Sequence, residues 1–161
     1  MTADQILREQ LLALLRGGQA YMPFDQAVAD FPTEHFNTRP PNVTYTFWHL
    51  LEHLRIAQYD ILDYVRNPDY TTPNWPADYW PAPDAITDAA GWQATLDAFR
   101  ADRLALEAII QAPETDLTAP LPHAPQHNIL REILVVAEHN AYHTGEFAIL
   151  RQVMGFWKKN A

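Results

Sequence analysis

Residues 131–155, REILVVAEHNAYHTGEFAILRQVMG, predict one uninterrupted helix that carries two histidines, His139 and His143. Residues four positions apart on a helix share one face, with Cβ atoms about 6 Å apart. Two imidazoles placed in this way can bind a single divalent metal ion. The same spacing also arises by chance in histidines that are simply hydrogen-bonded to their neighbours. The metal interpretation therefore needs a further ligand from another part of the chain.

This helix is largely apolar, and its most polar residues fall roughly along one side. They are Glu132, His139, His143 and Glu146. A polar side chain that faces a protein core is costly unless it is hydrogen-bonded or bound to a metal. The pattern therefore favours a partner for the two histidines inside the fold.

A second helix, from about residue 42 or 44 to residue 66, offers that partner. It contains another histidine pair, His49 and His53, and Asp60 lies two turns beyond His53 on a similar side. Metal sites in helical bundles are built from side chains on facing helices, so one or both of His49 and His53 could meet the first pair. Spacing cannot decide between His49 and His53. We favour His53, which lies deeper in the apolar stripe, where ligation would keep its imidazole neutral. Glu52 is expected to face solvent.

Two more long helices are predicted from apolar periodicity, over residues 2–16 and 89–111, and the helix quoted first should cover residues 129–154. A short helix is predicted over residues 24–31. Four long amphipathic helices with long connections predict an all-α, four-helix bundle that forms one domain over residues 1–161.

The connections between these helices are rich in proline. Residues 68–88 hold five prolines and four aromatic residues, so we expect an ordered loop that either plugs the core or lines a pocket. The remaining histidines, His35, His123 and His127, lie in such connections and are expected to be solvated. His127, which directly precedes the last helix, could also cap that helix or line a pocket rim.

Composition excludes several classes of site and partner. The chain has 161 residues and a net charge of -9, which argues against a surface for nucleic acid or anionic membranes. It has no cysteine, so a metal must be held by histidines and carboxylates. No signal-peptide pattern and no apolar run of about 18 residues is present, which predicts a soluble cytoplasmic protein.

The segment FWHLLEHLRIAQYDIL at residues 47–62, the loop NWPADYWPAP at residues 74–83 and the helix quoted first together resemble the DinB-like superfamily of four-helix bundles. That superfamily includes YfiT-type metal-dependent hydrolases and thiol-dependent S-transferases. The resemblance implies three metal ligands, His53, His139 and His143. It also implies an open position on the ion, which is typical of catalytic sites. Zn²⁺ and Ni²⁺ both suit imidazole ligands.

Glu146 stands where relatives often have glutamine. It could accept a hydrogen bond from a ligand imidazole or act as a general base, but we favour a solvent-facing position for it. Tyr142 lies between the two histidines and is expected to point away from the metal and to serve in packing.

For function, the resemblance leaves two classes open. One is an enzyme that acts on an unidentified small molecule, by metal-assisted hydrolysis or by thiol transfer. The other is a stress-related binding or interaction protein that does not catalyse, with a structural or vestigial metal. No separate nucleophile, phosphate-binding loop or paired-carboxylate pattern is present. The resemblance also implies a possible homodimer.

Overall fold

The computed structural model describes residues 1–158, which are predominantly α-helical, as predicted. Within these residues five α-helices and one short antiparallel hairpin occur. They are α1 (Ala3–Arg16), α2 (Phe24–Val28), α3 (Phe47–Arg66), α4 (Ala89–Gln111), β1 (Pro120–Leu121), β2 (Ala124–Asn128) and α5 (Ile129–Val153).

Each long helix begins at a side chain that accepts a backbone N–H near the start of the first turn. These N-cap residues are Thr2, Thr46, Asp88 and Asn128. Because such caps satisfy backbone donors that have no partner within the helix, they define where each helix starts. The cap at Thr46 places the start of α3 at Phe47, later than the predicted residue 42 or 44.

The short helix α2 ends at Val28, three residues before the predicted end at Phe31. Asp30 follows with a positive φ of 52°, a left-handed backbone conformation that cannot continue a right-handed helix. Phe31 instead enters the core and stacks against Trp92, with ring centroids 5.2 Å apart.

The buried apolar residues between the four long helices form two clusters. Helix α3 contacts α4 and α5, and α1 contacts the same two helices. One end of the interior is aromatic, built around Phe47, Phe99 and Phe147, and the other is aliphatic, built around Leu106 and Ile133. Burial of such side chains is the main stabilising contribution to a helical fold. Among the described residues no helix has the length and apolarity needed to cross a membrane.

The connection between α4 and α5 contains the β1–β2 hairpin, although no strand was predicted there. Leu121 and Ala124 are buried by it. Its turn carries His123, which packs edge-on against Tyr64 with ring centroids 5.0 Å apart. Both ring nitrogens of His123 are buried and lack a hydrogen-bond partner among residues 1–158.

The three loop histidines are therefore partly buried rather than fully solvated. The alternative for His127, a pocket rim, fits its position in the lining of a surface cavity. Besides His123, His127 shares a 2.7 Å hydrogen bond with the Tyr64 hydroxyl, and His35 stacks on Phe156 with ring centroids 4.0 Å apart. Each imidazole has an aromatic ring close enough to remove part of its surface from water. Proline-rich sequence does not reveal these contacts, because they come from distant segments.

Candidate metal centre

The side chains of His53, His139 and His143 meet between α3 and α5. Each offers one nitrogen to a group in which all three nitrogens lie within 4.8 Å of one another. The His53 Nε2 lies 3.3 Å from the His143 Nε2 and 3.2 Å from the His139 Nε2. Two nitrogens that are each about 2.0 to 2.1 Å from a tetrahedral Zn²⁺ ion are about 3.3 to 3.4 Å apart. The measured separations therefore fit shared coordination of one ion.

The protons on two of these rings are directed away from the centre of the group. The His53 Nδ1 lies 2.7 Å from the backbone carbonyl oxygen of Tyr79, and the His143 Nδ1 lies 2.7 Å from Oε2 of Glu146. A carbonyl and a carboxylate can only accept, so both Nδ1 atoms must donate. In the neutral imidazoles each Nε2 then presents a lone pair toward the other. Two facing lone pairs cannot hydrogen-bond, whereas a cation between them binds both.

Burial keeps these imidazoles in the neutral form that ligates metals. His53 is only 2% exposed. Burial lowers the pKa of His53 below its usual range, since an imidazolium in this position would lose its hydration. Burial and, to a smaller extent, the proximity of the other two imidazoles together lower the pKa of His139 to about 4. Both shifts favour the neutral form of these two rings.

One face of the His53 ring is also covered by an aromatic side chain. The indole of Trp80 stacks on it, with ring centroids 3.9 Å apart and planes 4° from parallel. Trp80 directly follows Tyr79, whose backbone carbonyl oxygen accepts a hydrogen bond from the His53 Nδ1. One short segment of the proline-rich loop therefore contacts both the edge and the face of this imidazole.

Glu146 lies beside the histidine group and bridges two residues. It accepts from the His143 Nδ1 through one carboxylate oxygen and from the Tyr45 hydroxyl through the other. Burial raises the pKa of Glu146, but these hydrogen bonds outweigh burial, so its net pKa lies below the usual range. The expected solvent-facing position is wrong, because Tyr45 from the connection before α3 covers the carboxylate.

The family model of the DinB superfamily matches residues 7–147. The chain belongs to the DinB superfamily. The matched range contains all three histidines, as well as Tyr45 and Glu146. A search of curated proteins and a search of solved structures each found no match.

Two other polar residues on α3 of this DinB protein were candidates for the site, and neither joins the histidine group. The His49 Nε2 lies 2.8 Å from the carbonyl oxygen of Ala85. The Asp60 carboxylate accepts hydrogen bonds of 2.7 Å from the hydroxyls of Tyr70 and Tyr79. Both side chains bind the loop instead.

Two glutamates also differ from their sequence-based expectations. Glu52 is not solvent-facing, because its carboxylate is partly buried and accepts from Arg55 and from the hydroxyl of Thr95. Glu132, on the same helix as the histidine pair, is buried and pairs with Arg131 at a distance from the metal centre. The single polar side inferred for α5 therefore divides into two separate clusters.

A surface cavity on α5 reaches one member of the histidine group, His139. His139 lines a surface cavity of about 270 Å³ together with Val135, Glu138 and Tyr142. Tyr142 is 70% exposed, and its ring packs edge-on to His143 with centroids 4.8 Å apart. The group thus lies against a partly apolar surface depression that a small molecule could enter.

The residues that support the ligands were harder to identify from sequence. Tyr79 acts through its backbone carbonyl, which every residue has, so no residue-type signal could have found it. Trp80 belongs to the aromatic loop for which a plug and a pocket wall were both considered. Tyr45 lies just before a helix, where nothing in the local pattern distinguishes it from other exposed aromatics.

Proposed function

We propose that this protein of the DinB superfamily binds one divalent metal ion through His53, His139 and His143, within a four-helix bundle formed by α1, α3, α4 and α5. The convergence of the Nε2 atoms at 3.2 and 3.3 Å, with Nδ1 of His53 and of His143 each donating to an acceptor, carries this proposal. Three imidazoles leave at least one position open on a tetrahedral ion, which is typical of catalytic sites.

We propose further that the open position serves an enzyme, either a metal-dependent hydrolase or a thiol-dependent S-transferase, acting on a small molecule. When bound, the ion supplies Lewis-acid chemistry, and Zn²⁺ or Ni²⁺ suits three imidazoles best. The protein's own residues hold the ion, orient its ligands and provide the depression beside His139. Glu146 and Tyr45 orient His143 from the side opposite its Nε2.

Metal analysis of the untagged full-length protein tests the binding step. After incubation with Zn²⁺ or Ni²⁺ and desalting, we expect about one ion per chain, because the group supplies one set of ligands. Binding should require the neutral imidazoles and should be lost after treatment with a strong chelator. A metal content near zero under these conditions would exclude the proposed site.

Activity assays of the metal-loaded and chelator-treated protein test the catalytic step. Hydrolysis of activated esters and conjugation of low-molecular-weight thiols to an electrophile should each be measured against the metal-free control. Turnover in either assay that returns when the metal is restored supports the enzyme. Metal binding without turnover in either assay supports the second class, a binding protein with a structural ion, which is consistent with the burial of His53.

Replacing Glu146 with glutamine should weaken Zn²⁺ binding by about tenfold, the lower end of the effect seen when a hydrogen-bond partner of a metal ligand is changed. The amide oxygen can still accept from the His143 Nδ1, but it lacks the negative charge that strengthens the bond and makes the ring a better donor to the metal. Glu9→Gln removes the same charge from an exposed position on α1 and should leave affinity nearly unchanged. Equal losses in the two variants would indicate a general electrostatic effect.

A further inference from the structure

One side of α3 carries three polar residues that all bind the proline-rich loop at residues 68–88. His49, His53 and Asp60 are separated by four and by seven residues, spacings that return to the same helical face. His49 and His53 bind loop carbonyl oxygens, and Asp60 binds two loop hydroxyls. The loop therefore follows α3 from His49 to Asp60, about three helical turns.

Tyr79 is the loop residue that α3 holds at two points. Its carbonyl oxygen lies 2.7 Å from the His53 Nδ1, and its hydroxyl donates to Oδ2 of Asp60, also at 2.7 Å. The two contacts lie about two helical turns apart on α3, so together they define both the position and the direction of this residue.

Apart from hydrogen bonds within residues 74–79 and a ring contact with Trp75, few contacts restrain Tyr79. Residues 74–78, which precede it, are exposed, and the Trp75 side chain is 71% exposed. Few buried apolar contacts in a segment allow local opening at low free-energy cost. The hydroxyl bond to Asp60 thus ties Tyr79, whose carbonyl oxygen accepts from the His53 Nδ1, to α3 at a second point. Trp80, which follows directly and stacks on His53, also packs against Tyr45.

We propose that Asp60 is a positioning residue for His53. Through the Tyr79 hydroxyl it holds the carbonyl that keeps the His53 proton on Nδ1 and directs Nε2 toward His139 and His143. This assignment gives a role to a carboxylate that lies near the metal centre but does not join it. The effect on metal binding rests on the proposed function, whereas the effect on the His53 ring does not.

Two phenylalanine variants separate positioning from loop stability. Tyr79→Phe removes the hydroxyl of the residue that binds His53. Tyr70→Phe removes the other hydroxyl from the same carboxylate, on a residue whose hydrogen bond to α3 is with Asp60 and whose ring packs on Tyr64. Asp60→Asn, a nearly isosteric change, weakens the bonds to both hydroxyls, because the amide has one acceptor oxygen where the carboxylate has two, and it carries no charge. Circular dichroism of each variant should first show the helical spectrum of the wild-type protein.

The deciding measurement is made without metal. Long-range ¹H–¹⁵N spectra of the histidine side chains in chelator-treated protein should show wild-type His53 as the Nδ1–H tautomer. Tyr79→Phe and Asp60→Asn should convert this signal to a mixture of tautomers, whereas Tyr70→Phe should retain it. An unchanged His53 signal in both of the first two variants, or the same change in all three, would overturn the proposal.

Titration with Co²⁺ supplies the second measurement. Tyr79→Phe and Asp60→Asn should bind Co²⁺ about three to ten times more weakly than wild type, less than the loss from a direct hydrogen-bond partner, and should show altered visible absorption. If the wild-type protein bound no Co²⁺, Zn²⁺ or Ni²⁺, the proposed function would fail, while the tautomer measurement would still decide the role of Asp60. Wild-type affinity and absorption in both variants would contradict the positioning role.

Discussion

Replacing His143 with alanine should lower the affinity of the protein for Zn²⁺ by about a hundredfold or more. Four-ligand zinc sites bind with apparent free energies of about 10–16 kcal/mol, so one ligand accounts for roughly 3 kcal/mol, which corresponds to about two orders of magnitude in the dissociation constant. The loss of affinity should exceed a hundredfold if water does not take the place of the His143 imidazole on the ion. Competition with a chromogenic zinc chelator, on untagged protein, measures the change.

His49→Ala is the matched control for this prediction. His49 is a buried histidine on α3, one turn from His53, and its Nε2 is hydrogen-bonded to the Ala85 carbonyl outside the metal centre. Its replacement should change zinc affinity by no more than about threefold, although the free energy of unfolding should fall by roughly 1 kcal/mol with the lost bond. If His49→Ala removed zinc as strongly as His143→Ala, the assignment of ligands would be wrong.

The pairing of His139 and His143 could be predicted from the sequence because helical spacing is a local property. Four residues place His139 and His143 on one face whatever the rest of the chain does. Selecting His53 needed more, namely its depth in an apolar stripe and the resemblance to the DinB-like superfamily. The family is confirmed by the match to residues 7–147, while the role of the three side chains as ligands stays a prediction.

The residues that surround the three histidines could not be predicted, because their contacts come from distant parts of the chain. Glu146 is held by Tyr45, a residue 101 positions away in the chain, and Asp60 is engaged by hydroxyls from the proline-rich loop. Whether a carboxylate on a helix faces solvent or a neighbour depends on such distant segments. Periodicity gives the direction of a side chain relative to its own helix but not what covers it.

The helices show the same division between local and non-local information. The prediction for residues 89–111 matches α4, and that for residues 129–154 differs from α5 by one residue at its end. Both helices have a side-chain cap and long apolar periodicity, which are readable locally. The β1–β2 hairpin was missed because β1 has only two residues and β2 contains a proline. The usual alternation of apolar and polar residues is therefore not seen.

Replacing Arg151 with methionine should lower the free energy of unfolding by about 3 kcal/mol or more. This guanidinium is only 1% exposed and donates to the carbonyl oxygens of Ala27, Asp30 and Phe156, at 2.7, 3.2 and 3.3 Å. Methionine fills similar space but leaves acceptors without donors, and an unsatisfied buried polar group costs about 1–3 kcal/mol. Urea denaturation followed by circular dichroism measures the loss.

Arg100→Met is the control, since Arg100 is a partly exposed arginine that pairs with Asp25, and surface pairs of this kind contribute about 0–1 kcal/mol. The two variants remove the same group and differ in what surrounds it. Arg151 fastens the C-terminal end of α5, the helix that carries His139 and His143, to the segment after α2. A loss in Arg151→Met no larger than in Arg100→Met would mean that water replaces the guanidinium at these carbonyls, and that the end of α5 does not depend on this contact.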